Sequence, residues 1–310
     1  MTETGKQPVR TEIAERPARS LWGDALHRLK KDKLAVVSFC IIMVYIAAAI
    51  LSGAGVIAGD YDEPTYRTNE KGRQVLNYYS PPGGGHLLGT DIQGRDVLSR
   101  VIQGTWISLR VALIMSVIYI VIAVALGALA GYFGGWVDDL IQWLYQTLAS
   151  VPGLLMLIAL TFVLGRGLTN VAIALGVVGW VGLCRLMRAE FMKHKARDYG
   201  LAATAQGAGH WRIMFRHILP NTFHIVIISF SLGFVRAIMG EVVLTFVGLG
   251  AQAHEPSWGR MISEARAELA RDPAVWWPLA GATAAMFVVC LAFNIFGDSL
   301  RDALDPKLKV

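Results

Sequence analysis

Five long apolar runs set the limits on what this chain can fold into. Residues 34–52, 106–130, 140–164, 221–247 and 276–297 each approach or exceed the roughly 20 apolar residues that carry a helix across a bilayer. A shorter sixth run covers 168–183. A chain of 310 residues with a single soluble core has no place for six such runs. Composition agrees: 54% of the residues are apolar and 17% charged, against about 25% charged in an ordinary soluble domain. The expected class is an all-α polytopic membrane protein with six transmembrane helices.

The placement of the charge orients such a chain. Net charge is +6, from 29 Lys and Arg against 23 Asp and Glu. With both termini inside, eighteen of the 29 basic residues fall before residue 34, between 185 and 216, or in the tail; nine fall in the outside segments. That asymmetry predicts cytoplasmic termini and a multi-pass protein of a bacterial inner membrane. The organisation read from it is a cytoplasmic tail over 1–33, a first transmembrane helix over 34–52, and a periplasmic segment over 53–104. A core transmembrane domain over 105–298 follows, with a cytoplasmic tail over 299–310.

Within the first tail, residues 1–19 are polar, contain Pro8 and Pro17, and are expected to be disordered. Ser20 is placed to cap a short amphipathic helix with Leu21, Trp22, Ala25, Leu26 and Leu29 on one side, lying against membrane lipid. The segment 53–104 carries turn signals at Pro81, Pro82 and Gly83. Small-residue spacings through Gly127, Gly131 and Gly135 allow close helix contact, within the chain or with a second subunit. Pro152 is expected to kink the third run. Cys40, Cys184 and Cys290 lie in apolar runs without CxxC spacing and read as small core residues.

The motifs of catalysis are missing from the sequence. There is no GxxxxGK[ST], GxSxG or HExxH. His194, His210 and His217 stand 16 and 7 residues apart and read as solvated or interfacial rather than as metal ligands. The chain is therefore expected not to be an enzyme, to hold no metal or cofactor, and to bind no nucleic acid.

The most informative segment is cytoplasmic, 189–220. Ala202, Ala203, Ala205, Gly207, Ala208 and Gly209 offer nearly bare backbone, and His210, Trp211, Arg212, Phe215 and Arg216 follow at once. A short helix with a small-residue face can be gripped in the groove of another protein, with flanking basic groups fixing its direction. Pro220 is expected to hold Leu219 extended and to end the excursion.

Here the sequence resembles a family. Ala202-Ala203, then Gly207, then Leu219-Pro220 is similar to the cytoplasmic motif of the membrane subunits of ATP-binding-cassette importers, in which EAA is followed by G and, after nine residues, by IxLP. Leu201 stands at the motif's glutamate, and His217, with Ile218 beside it, at its isoleucine. The stretch from His86 to Arg100, HLLGTDIQGRDVLSR, narrows the resemblance to the C-type permease of dipeptide and oligopeptide importers. So do GYFGGWVD from Gly131, FVGLG from Phe246, PSWG from Pro256 and AFNIFGDSLRDALDPK from Ala292. The resemblance implies a type I ABC importer permease fold. It also implies that Leu201, Ala202, Ala203, Gly207, Ala208, Arg212, Leu219 and Pro220 form the ATPase-coupling surface. The implied partners are a homologous permease subunit, two ATP-binding subunits that bind ATP and Mg, and an extracytoplasmic peptide-binding protein. The rivals are an ion-gradient-driven secondary transporter, which would have more crossings and internal repeats, and a non-conducting membrane anchor subunit.

Three charges lie inside the apolar runs. Arg110 is close enough to an end to snorkel. Arg236 and Glu241 lie deeper, roughly 24 and 32 Å along a helix from Pro220, and five residues apart they do not pair along one face. Centre-of-bilayer charge costs about 2.5–3.5 kcal/mol, so such groups are expected to face a cavity or a partner. Arg236, Glu241 and Trp258 are expected to line a translocation path, with Glu241 at its outer mouth where a zwitterionic peptide enters.

Overall fold

The computed structural model describes residues 21–304 apart from 84 and 253; the expected disorder of 1–19, the cap at Ser20 and the last residues of the tail lie outside these. Helix α1 (Leu21–Lys31) leads through Asp32 into α2 (Lys33–Gly53), whose first turn is capped by the Asp32 carboxylate accepting the Leu34 N–H at 2.9 Å. The α2 side chains Val37, Phe39, Val44 and Ile50 are exposed, as on a helix that meets lipid. A polar segment follows, with a two-stranded antiparallel hairpin, β1 (Tyr66–Thr68) and β2 (Gln74–Leu76), pairing Arg67 with Val75.

Helix α3 (Val97–Phe133) is capped by Asp96, whose side chain accepts the Ser99 N–H at 2.9 Å. Its 37 residues span about 55 Å, well beyond a hydrocarbon core of about 30 Å. It therefore begins nine residues before its apolar run, inside the segment read as periplasmic. The chain continues with α4 (Gly135–Ser150), α5 (Gly153–Leu164), α6 (Leu168–Gly179) and α7 (Val181–Lys195). The third apolar run is not one kinked helix: α4 and α5 meet at 93°. Val151 is extended (φ −90°, ψ 133°), the conformation forced on a residue before proline. Helices α6 and α7 meet at 40°. Together with α2, α3 and two later helices, this gives, among the described residues, four uninterrupted apolar helices long enough to cross a membrane, or six crossings when each bent pair is one span.

Helix α8 (Asp198–Ala205) is followed by α9 (His210–Arg212), a π-helical turn Ile213–Ile218, and α10 (Leu219–Phe246). The expected excursion over 189–220 is thus shorter than its apolar limits imply: 189–195 completes α7, and the next continuous helix begins at His210. Leu219 is helical (φ −55°, ψ −43°), not extended. The wide turn explains this, because the Leu219 N–H donates to Met214 O, five residues back, and the carbonyls near the proline find side chains instead. His217 O accepts from Asn221 Nδ2 at 2.6 Å, and Leu219 O from Thr222 Oγ1 at 3.1 Å. Helices α11 (Trp258–Glu268) and α12 (Trp277–Leu304) complete the chain.

Helix α3 packs against α7, α6, α10 and α2 and so forms the centre of the bundle. Its small-residue spacing is used within the chain. A Cβ on Gly127 would stand 2.7 Å from Cys184 O and from Met187 Cβ, and one on Gly131 would stand 2.8 Å from Phe191 Cβ. The cysteines divide: Cys184 is buried in this seam, whereas Cys40 is exposed on α2 and so is not a core residue. The molecule has two distinct ends. At one lie α1, α8, and the last turns of α12; at the other lie the hairpin, the 77–96 loops and α11.

Candidate functional site

Helix α8 is presented as a short rigid hook. It folds back on α7 so tightly that a Cβ on Gly200 would lie 2.8 Å from Lys195 O and 2.9 Å from His194 O. Tyr199 and His194 are hydrogen-bonded side chain to side chain, and His194 is buried, with Nε2 3.4 Å from Glu190 Oε2, rather than solvated. The C-terminus of α8 closes in a Schellman motif: the Gly207 N–H donates to Thr204 O at 3.0 Å, and the Ala208 N–H to Ala203 O at 3.1 Å. This requires the left-handed backbone at Gly207, φ +76°, which a glycine adopts without strain. Ala203 is buried beneath the motif and Ala208 half-buried, while Leu201, Ala202, Ala205, Gly207 and Gly209 are exposed. The outer surface of the hook is thus the small-residue face expected, with Leu201 as its one large side chain, 58% exposed.

Ion pairs and aromatic contacts bind this hook to the bundle. Arg188 on α7 forks onto Asp138 on α4 at 2.5 and 2.6 Å. Lys195 Nζ donates to Tyr132 O at 2.6 Å and lies over the Tyr132 ring, and His210 Nδ1 is 3.0 Å from the Tyr132 hydroxyl. Arg212, Trp211 and Phe215 are exposed, the last two stacked at 5.8 Å. Leu219 is half-buried and Pro220 exposed at the start of α10. Of the eight residues of the expected coupling surface, Leu201, Ala202, Ala203, Gly207 and Ala208 lie on α8 and its cap, Arg212 on α9, and Leu219 and Pro220 at the start of α10; Ala203 is buried rather than at the surface.

The three residues expected to line a path separate. Arg236 is exposed on α10, its guanidinium 5.7 Å from the centre of the Tyr119 ring. Glu241 is fully buried: Oε1 accepts from Thr245 Oγ1 at 2.7 Å, the Ser257 hydroxyl is a further partner, and Thr245 Oγ1 in turn accepts the Ala251 N–H at 3.1 Å. Trp258 is also fully buried, donating Nε1–H to Val101 O at 3.1 Å and meeting Tyr45 edge-on. Neither lines a surface. The cause is a close approach by α11: at Gly259 a Cβ would stand 2.9 Å from Val242 Cα and 3.1 Å from Glu241 Oε1, so the segment after α10 folds down over the carboxylate.

Two of the concavities that open toward the α8 end flank α10. One, of about 450 Å³, lies among α7, α10 and α12 and mixes Glu190, His224, Ser229 and Arg301 with Ile228 and Leu232. The other, about 410 Å³, is an apolar groove between α3 and the start of α10, walled by Val121, Phe191, Trp211, Phe215 and Phe223.

At the opposite end the structure builds a site that the sequence reading did not pick out. Asp91, nearly buried, accepts from Arg95 Nε at 2.9 Å and from Arg100 at 2.5 Å; Arg95 reaches Asp62 at 2.9 Å, and Arg100 reaches Glu264 at 3.3 Å. Glu268 completes the cluster without a hydrogen-bond partner for Oε2. Burial, and then the charges of Asp91 and Glu264, push its carboxyl up to about 7. The signal available in the sequence was the spacing of Asp91, Arg95 and Arg100 within the 86–100 stretch, but its partners Glu264 and Glu268 lie more than 160 residues away. Trp277 Nε1 donates to Thr90 O at 2.9 Å and clamps the same loop to α12.

Comparison with known proteins agrees with this architecture. Residues 123–310 match the family described as binding-protein-dependent transport system inner membrane component, and residues 20–82 match the N-terminal transmembrane domain of oligopeptide transport permease C. The chain is 37% identical over 292 residues to the dipeptide transport system permease protein DppC of Alkalihalophilus pseudofirmus, covering 94% of this chain and 92% of the relative. It is 35% identical over 298 residues to the glutathione transport system permease protein GsiD of Pectobacterium atrosepticum, covering 96% and 95%. The same identity and length hold for the oligopeptide transport system permease protein OppC of Bacillus subtilis, covering 96% and 93%. With two family matches spanning most of its length and an all-α bundle of membrane-crossing helices, the chain belongs to the inner-membrane permease components of binding-protein-dependent ABC importers.

Proposed function

We propose that this chain forms, with a homologous permease subunit, the path for peptide uptake, and that α8 is the element on which a separate ATPase subunit acts. The relatives are named for dipeptide, oligopeptide and glutathione transport, which supports a peptide or peptide-like substrate. In this reading the α8 end is cytoplasmic and the hairpin end receives an extracytoplasmic binding protein. ATP and Mg bind to the two ATPase subunits, and this chain supplies the path and the lever.

The observation that carries the proposal is the construction of α8: an exposed small-residue face on a helix pinned at Gly200, Tyr199 and the Gly207 cap. A hook so fixed transmits a pull to α7 and α10 instead of bending. The experiment is uptake of a labelled peptide by the complete importer in proteoliposomes, with ATPase rates measured in parallel. Gly207→Glu puts a charged branch on the docking face at a left-handed backbone position; uptake is expected to fall at least tenfold while the complex keeps a basal ATPase rate. Gly207→Asn, which tolerates the left-handed conformation, is expected to keep most of both. Normal uptake and normal stimulation in Gly207→Glu would remove α8 from the coupling role.

A further inference from the structure

We propose that Arg236 is a substrate-recognition residue, holding the carboxylate of the peptide as it passes along α10; this rests on the reading of the chain as one half of a peptide path. The residue stands at membrane depth, 16 residues beyond Pro220 in a continuous helix and so roughly 24 Å along it. It is exposed, and it shares one face of α10 with Ile225, Ile228, Leu232, Met239 and Val243, all half-buried or exposed at helical spacing. The opposite face, with Val226, Phe234, Ala237, Ile238 and Glu241, is buried in the bundle. Arg236 is thus turned away from the core, on a face of α10 that the described residues leave open.

Its charge has no carboxylate to answer it among the described residues. The ion pairs of the molecule gather at the two ends and leave Arg236 out. Glu241, the nearest acid along α10, is turned inward and held by Thr245. A guanidinium facing lipid is costly, up to about 2.5–3.5 kcal/mol at the bilayer centre, so the face it occupies is expected to meet water, an anion or a partner acid. The surroundings fit the first two. The same face lines the mixed-polarity concavity of about 450 Å³ as far as Leu232, one turn below Arg236, with Ser229, His224 and Glu190 toward its other end.

The side chain is also held in place. Tyr119 is fully buried, its hydroxyl donates to Ser229 O, and its ring lies 5.7 Å beneath the guanidinium. Gly233 permits this, since a Cβ there would stand 2.8 Å from Tyr119 Cε1. Arg236 also donates to the Tyr119 hydroxyl, and a guanidinium so anchored, with five N–H donors in all, keeps others to bind a carboxylate. Every linear peptide with a free C-terminus offers that group whatever its side chains, which suits a path that must accept many sequences.

The test compares uptake of trialanine with that of its C-terminal amide by the complete reconstituted importer, each supplied at concentrations saturating the binding protein. The wild-type importer is expected to move the free acid about tenfold or more faster than the amide. Arg236→Gln is expected to lower the acid's rate to near that of the amide while leaving the amide unchanged; Arg236→Lys is expected to keep much of the preference. An unchanged acid-to-amide ratio in Arg236→Gln would overturn the proposal. So would an equal fall for both peptides, the outcome expected if Arg236 instead pairs with a carboxylate of the second subunit. A wild-type importer that moves neither peptide would bring down the peptide-path reading itself, and the proposal with it.

Discussion

Glu268 illustrates how a single side chain can carry a pH dependence. Its carboxyl is raised from 4.5 to about 7, first by burial and then by Asp91 and Glu264. The folded protein therefore binds this proton more tightly than the unfolded chain does. Its unfavourable contribution is absent below the unfolded value near 4.5, grows as pH rises toward 7, and is complete above it. Glu268→Gln is expected to raise the melting temperature of the purified protein at pH 8 and to change it little at pH 4.5, followed by tryptophan fluorescence; an equal shift at both pH values would show that the buried charge is not the cause. Glu241 poses a different question. Because its carboxylate ties Thr245 and Ser257 beneath the segment after α10, Glu241→Gln is expected to leave uptake within about twofold of wild type. Glu241→Ala strands both hydroxyls and is expected to cost about 1–3 kcal/mol of stability, read as a lower melting temperature. A strong uptake defect in a well-folded Glu241→Gln protein would restore the carboxylate to the path.

At the scale of elements, the seam between α3 and α7 decides how motion at α8 reaches the bundle. Gly127 and Gly131 bring α3 into backbone contact with α7, and Arg188, whose carbonyl is the atom nearest Gly131, is locked to Asp138. Gly131→Leu is expected to force the helices apart, costing about 1–3 kcal/mol and lowering the yield and melting temperature of the complex; an unchanged melting temperature would mean that the seam is looser than drawn. Much of this level was legible in the sequence. The small-residue spacing marked a close contact, the alanine and glycine run marked α8, and Pro152 marked a break. Less legible was how each would be resolved. Pro220 marks no end, because a π-helical turn accommodates it, and Pro152 turns the chain by 93° rather than kinking one helix. A proline announces a missing N–H; whether the helix bends, widens or stops depends on which neighbours answer the freed carbonyls.

Across the whole molecule, the apolar runs and the scarcity of charge by themselves determined that the chain is an all-α membrane protein with a polar segment at one end and a small-residue hook at the other. Both are one-dimensional properties, set by the cost of placing polar groups in hydrocarbon and by the reach of a helix. Facing was decided only in three dimensions. Arg236 and Glu241 stand five residues apart on one helix and read alike as membrane charges, yet one looks outward over Tyr119 and the other lies sealed under Ser257. The same holds at the hairpin end, where Asp91, Arg95 and Arg100 meet Glu264 and Glu268 across more than 160 residues. Hydropathy reports how much charge a segment carries; which way that charge points is settled by neighbours brought close by tertiary packing, such as Gly259 against Glu241.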